Sequence, residues 1–165
     1  MRNHFRILAS ELERELKSLE RLNVELTPLL PAPQSPEPAS ASIRAIGSIL
    51  HDFYGGIERI FRRIAEGMDG ELPKGDDWHI ELLQRMTSEI PGVRTAAISP
   101  ALAEELDDFL RFRHLFRNVY GFQLRWAKFS ALAKKMGPIL QRFREEIEAF
   151  LKFLGALEKG MANKE

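Results

Sequence analysis

The chain has 165 residues, enough for one domain with a hydrophobic core of its own. Its 24 Lys and Arg balance 24 Asp and Glu, so no overall field draws it to nucleic acid and an anion site has to come from local clustering. It has no cysteine, which excludes a disulfide framework and any thiolate metal site and fits a reducing, cytoplasmic setting.

The first segment, Met1-Arg2-Asn3-His4-Phe5-Arg6 and the charged amphipathic run after it, does not read as a signal peptide, and no apolar run approaches membrane-spanning length. Leu8, Leu12, Leu16, Leu19 and Leu22 recur at helical spacing with Glu11, Glu13, Arg14, Lys17 and Glu20 between them. That pattern predicts a surface helix from Asn3 to Leu26 with one buried stripe. Residues 27–38 contain five prolines and form an extended connector across one end of a bundle.

A second helix is predicted from Ala39 to Met68, burying Ile43, Ile46, Ile49, Leu50, Phe53, Ile57, Ile60, Phe61 and Ile64. Gly55-Gly56 inside it would bend the helix or let another backbone approach. After a turn-rich loop, Asp76 or Asp77 is expected to cap a short third helix from Trp78 to about Glu89. Ser99 as N-cap with Pro100 at the first helical position starts a fourth helix, which runs to about Val119 and stops near Gly121. A last helix spans Leu124 to Glu158, with Pro138 expected to kink or divide it, and residues 160–165 are expected to form a disordered tail. The fold class is an all-α antiparallel bundle of four or five helices in a single domain.

The fourth helix carries the unusual chemistry. Arg111, Arg113, His114, Arg117 and Asn118 crowd into an otherwise apolar segment, where an unpaired buried guanidinium would be costly. At about 100° per residue, Leu102, Leu106, Phe109, Leu110, Phe116 and Tyr120 share one face with Arg113 and Arg117. Asp107, Arg111, His114 and Asn118 form a polar stripe beside it. Plainer readings stand next to an anion site. Acids early and bases late suit the helix dipole. Asp107 and Arg111 suit an i,i+4 pair. His114 suits a donor to a carbonyl, and Tyr120 a core-edge ring with a wet hydroxyl.

Three further clusters read more plainly. Asp76-Asp77-Trp78-His79 is read as a capping aspartate and a packed Trp rather than a metal site, because no helical Glu/His partner stands at ligand spacing. Arg59, Arg62 and Arg63 read as a solvated face that would extend a phosphate track only if it lay beside the fourth helix. Glu145, Glu146 and Glu148 read as surface charges, and no cofactor-binding pattern is present.

Arg113-His114-Leu115-Phe116-Arg117-Asn118-Val119-Tyr120 resembles the signature of HepT-like toxins of the HEPN superfamily: Arg, a polar residue, three others, His, and Tyr two residues later. Gly70-Glu71-Leu72-Pro73-Lys74-Gly75-Asp76-Asp77-Trp78-His79 and Tyr120-Gly121-Phe122-Gln123-Leu124 resemble one branch of that group. The likeness covers about Ala41 to Ala131. The resemblance implies a helical bundle that forms a homodimer by pairing its motif helices around one cleft. It implies a metal-independent ribonuclease toxin needing no cofactor, and a nucleotidyltransferase antitoxin able to adenylylate the motif tyrosine. By position, Arg113, His114 and Asn118 would then be catalytic, Arg117 and Arg111 would bind RNA, and Tyr120 would be the modified residue.

Asn118 stands where the motif usually has histidine. Metal-free RNA cleavage needs a base for the 2′-hydroxyl and stabilisation of a crowded phosphorane; arginine supplies the second, but an amide has no accessible pKa for the first. The sequence therefore admits three rescues: His114 takes over as base, the arginines act by electrostatics alone, or the chain is non-catalytic. In the last case it is a dimer that binds RNA or its partner through the arginine-lined face, or a purely structural dimer with its arginines paired across the interface.

Overall fold

A computed structural model describes residues 2–163. Helix α1 (Arg2–Leu26) leads through a short 3-10 turn, Thr27–Leu29, and an exposed proline connector into α2 (Ser40–Ile64). α2 continues as a wider π-helical turn, Ala65–Asp69, that ends at Gly70 in the left-handed conformation a glycine adopts without strain (φ 82°). After a loop come the short α3 (Trp78–Arg85), α4 (Pro100–Asn118), a 3-10 turn at Gly121–Gln123 and the long α5 (Trp126–Ala162). No strand occurs among the described residues; extended pairing there is a single bridge between Ile90 and Arg94. The molecule is an all-α bundle in which α2 lies at the centre, packing on α1, α3, α4 and α5.

The expected apolar stripes meet in that centre. Leu12 and Leu19 of α1, Phe53, Ile57 and Phe61 of α2, Phe109 of α4 and Phe143 and Ile147 of α5 are all buried. Gly56 leaves room for α1, since a Cβ there would fall 2.5 Å from Leu19 Cδ2. The glycine admits a side chain, not the neighbouring backbone expected of it.

Some boundaries and caps differ from expectation. α3 ends at Arg85 rather than Glu89, because residues 85–94 instead wrap around the guanidinium of Arg94. Asp77 occupies the N-cap position of α3 without a capping bond from its side chain; its ψ of 21° departs from the extended geometry that aims a carboxylate at the helix's free N–H groups. α5 is not divided at Pro138. Pro138 and Lys134 are both exposed, so the carbonyl freed by the proline ring faces solvent. α5 also runs past Glu158 into the segment expected as a tail, of which residues 164 and 165 lie outside the described residues.

Candidate functional site

The start of α4 is fixed as the sequence dictates. Ser99 Oγ accepts from Leu102 N (3.2 Å), and Pro100 sits at the first helical position. Glu146 of α5 completes the cap, accepting from Ser99 N (2.8 Å) and Ser99 Oγ (2.7 Å). Glu145 and Glu148 are exposed as expected; Glu146 is not a free surface charge but the acceptor that ties α5 to this helix end.

From that anchor α4 turns Leu102, Leu106 and Phe109 into the core, and Arg113 follows on the same face. Its guanidinium meets the one carboxylate buried in α2. Arg113 Nη1 donates to Glu58 Oε1 at 2.8 Å, and the Glu58 side chain is only 6% exposed. The other oxygen of Glu58 lies 2.5 Å from His79 Nδ1 at the start of α3. An ionised carboxylate only accepts, so Nδ1 carries the proton in this bond and Nε2 is the uncommitted nitrogen. Trp78 stacks on the His79 ring with centroids 3.6 Å apart, and Arg62 lies over the Trp78 ring at 5.7 Å. One turn before Glu58, the Tyr54 phenol is fully buried. Burial foremost, then the Glu58 charge, push its pKa far above the usual tyrosine range. Three helices thus converge on one Arg–Glu–His relay.

Past Arg113 the polar residues of the motif emerge into solvent. His114, Arg117 and Asn118 are exposed, and Tyr120 is 71% exposed. Arg117 and Tyr120 therefore leave the buried face they share by angle with Arg113, while Phe116 on the same face stays packed on α2, its ring 5.2 Å from that of His51. Asn118 Nδ2 donates to the His114 carbonyl at 2.7 Å, and Arg111 pairs with Asp107 at 2.8 Å, the plain i,i+4 pair. His114 and Arg111 line a cavity of about 680 Å³ between α3 and α4 that also takes in His79, Asp107 and Glu104 over an apolar floor including Leu83 and Leu110.

The opposite flank of α4 is apolar. Leu115 is half-exposed and Phe122 is 68% exposed, beside a groove lined by Phe112, Val119, Lys128 and Phe129. Tyr120 and Phe122 stack almost parallel, 5.3 Å apart. Between them Gly121 admits the Arg44 guanidinium, which a Cβ would approach to 3.1 Å.

Of the three arginines Arg59, Arg62 and Arg63, only Arg62 comes near this site, over Trp78. Arg59 pairs with Glu15 and Arg63 with Glu11, both on α1, turned away from α4. The structure brings Arg111 and His114 to one cavity with His79, and displays Arg117, Asn118 and Tyr120 beyond it. Sequence reasoning passed over Glu58 and Tyr54. The available signal was an acid at position 58 inside the apolar stripe of α2, a place where a carboxylate needs a cation.

A protein-family model described as HepT-like protein matches residues 45–154, two thirds of the chain and the whole of α3 and α4. No curated protein and no solved structure matches.

Proposed function

The chain belongs to the HepT-like family of the HEPN superfamily, and on that premise we propose that it is a metal-independent ribonuclease toxin paired with a nucleotidyltransferase antitoxin. The observation that carries this reading is the C-terminal end of α4, where His114, Arg117, Asn118 and Tyr120 reach solvent together while Arg113 is fixed beside them by Glu58. Arg113 and Arg117 hold the scissile phosphate as permanently charged donors, with Arg111 alongside. His114 takes part in the proton transfer that Asn118, an amide, cannot perform. Tyr120 presents an exposed ring to a modifying partner. The half-exposed Leu115 and the exposed Phe122 give the protein an apolar flank on which two copies pair through α4 as a homodimer.

The experiment is incubation of end-labelled RNA with purified protein in excess EDTA, comparing the natural chain, Arg113→Ala and Asn118→His. Cleavage by the natural chain, lost in Arg113→Ala, supports the nuclease. Wild-type cleavage by Arg113→Ala sinks it.

A second reading, a dimer that binds RNA or its partner without catalysis, draws on Asn118, whose amide is already committed to the His114 carbonyl. It expects cleavage only in Asn118→His and salt-sensitive binding in the natural chain.

A further inference from the structure

Resting on the ribonuclease reading just given, we propose that His79 of α3 is the proton acceptor of the reaction, with Glu58 as its positioning residue and His114 as the proton donor across the same cavity. The base missing from position 118 is supplied by a different helix.

Three observations converge on His79. Glu58 divides its two oxygens, one to Arg113 Nη1 (2.8 Å) and one to His79 Nδ1 (2.5 Å), so the imidazole and the phosphate-binding guanidinium are fixed by one buried carboxylate. The stack on Trp78 fixes the plane of the ring. The ring lines the cavity that His114 and Arg111 line from α4, and the side chain keeps 29% of its surface exposed. A carboxylate that accepts from Nδ1 sets the tautomer with a lone pair on Nε2 and stabilises the imidazolium formed when Nε2 takes a proton. An imidazole serving only to brace the fold would not need a face on a cavity. At about 680 Å³ that cavity falls within the roughly 300–1,000 Å³ typical of small-molecule and nucleotide sites.

The charges around His79 are unevenly distributed. Glu58 and Arg62 face it from α2. Asp76 and Asp77 precede it on the loop, and Glu104, Asp107 and Arg111 come from α4. Arg111 offsets Asp107. Glu104 precedes His114 by ten residues, roughly 15 Å along the helix at about 1.5 Å per residue, beyond the screening length of about 8 Å in physiological salt. Glu104 is therefore remote from His114, whereas Asp76 and Asp77 line the cavity within three residues of His79.

The step balances without a metal or a co-reactant. The 2′-hydroxyl gives its proton to His79 Nε2 as O2′ bonds to phosphorus. The bond from phosphorus to O5′ breaks, and O5′ takes a proton from the His114 imidazolium. The products are a 2′,3′-cyclic phosphate and a 5′-hydroxyl end.

The test is single-turnover cleavage of end-labelled RNA in excess EDTA, followed across the pH range in which imidazoles titrate. It compares the natural chain, His79→Gln, His79→Ala with and without added imidazole, and Glu58→Gln. The expected result is a rate loss of about 10²–10⁴-fold in His79→Gln with one limb of the pH profile gone. Imidazole restores His79→Ala, Glu58→Gln moves that same limb, and the products carry cyclic phosphate. If the natural chain cuts and His79→Gln matches its rate and pH profile, this inference falls and the ribonuclease reading stands. A loss that imidazole does not restore, with the profile of the residual activity unchanged, also overturns it, because His79 would then be only a brace. No cleavage by the natural chain overturns both.

Discussion

Two arginines hydrogen-bond to buried carboxylates in this fold, and their surroundings differ. Arg94 has no exposed side-chain surface and grips Asp69 with two bonds, Nε to Oδ1 at 2.6 Å and Nη2 to Oδ2 at 3.0 Å. Its remaining donors go to the carbonyls of Arg85, Ser88 and Thr95. That closed knot pins the loop after α3 onto the π-helical turn that ends α2. Arg113 meets Glu58 through Nη1 alone, its Nε has no partner among the described residues, and its side chain is 16% exposed. Nearly all the donors of the first arginine are spent on holding a loop. The second is aimed by one bond, and its Nε is buried. The contrast separates an arginine held on every side from one held by a single hydrogen bond.

The largest effect is expected where the polar network is most complete. Arg94→Ala leaves buried Asp69 without either of its hydrogen bonds from Arg94, with only Arg85 at 4.0 Å, so stability should fall by about 3–5 kcal/mol, read as a lowered midpoint in chemical denaturation. Arg113→Ala should cost less stability than this, because Glu58 retains His79. It should instead lower RNA cleavage by about 10²–10³-fold, as loss of one preorganised donor does. If the two variants exchanged these outcomes, with Arg113→Ala unfolding the chain and Arg94→Ala sparing it, the distinction between the two arginines would be lost.

The same contrast explains what was legible in the sequence. Helical periodicity located the apolar stripes of α1, α2 and α5, because side chains three and four residues apart face the same way whatever packs on them; on α4 it passed over buried Phe112 and placed the exposed Tyr120 on the apolar face. Ser99-Pro100 marked the start of α4 because the capping geometry is local. The partners of the charged groups were not local. Arg94 and Asp69 are 25 residues apart, Arg113 and Glu58 are 55 apart, and Ser99 and Glu146 are 47 apart. No spacing rule connects such positions. The motif on α4 was recognisable as a string, yet its split into an inward Arg113 and an outward Arg117 turns on a carboxylate 55 residues away. Asp77 shows the reverse failure: the residue type suited a cap, but its backbone angles do not aim the carboxylate at the helix.

Tyr54 sharpens the comparison from the Glu58 side. Its phenol is kept neutral by burial and by Glu58, while an unfolded chain ionises tyrosine from a pH of about 10 upward. The folded pKa is the higher one, so this contribution to stability is complete below the unfolded value and is lost as pH rises above it. One group with its proton retained only in the fold gives a slope of about 1.4 kcal/mol per pH unit. Tyr54→Phe should remove that slope from the alkaline limb of a stability–pH curve and leave the neutral-pH cleavage rate intact. An unchanged alkaline slope in Tyr54→Phe would show that the phenol is not shielded in solution, and that the surroundings of Glu58 are wetter than the structure describes.

The smallest expected effect lies at the other end of α4. There Glu146 engages the backbone and side chain of Ser99, and Ser99 caps the helix, a closed arrangement like that of Arg94 but without a buried cation. Ser99→Ala removes the cap to Leu102 N and one of the two bonds to Glu146 while the bond from Ser99 N remains. The loss should be about 1 kcal/mol, within the roughly 0.5–2 kcal/mol span of such caps. RNA cleavage by the folded variant should match the natural chain, because the cap lies about 21 Å along the helix from Arg113 at 1.5 Å per residue. A fall in cleavage out of proportion to the fall in stability would mean that the seating of α4 on α5 governs where Arg113 points. The two ends of the helix would then form one device instead of a fixed anchor and a working tip.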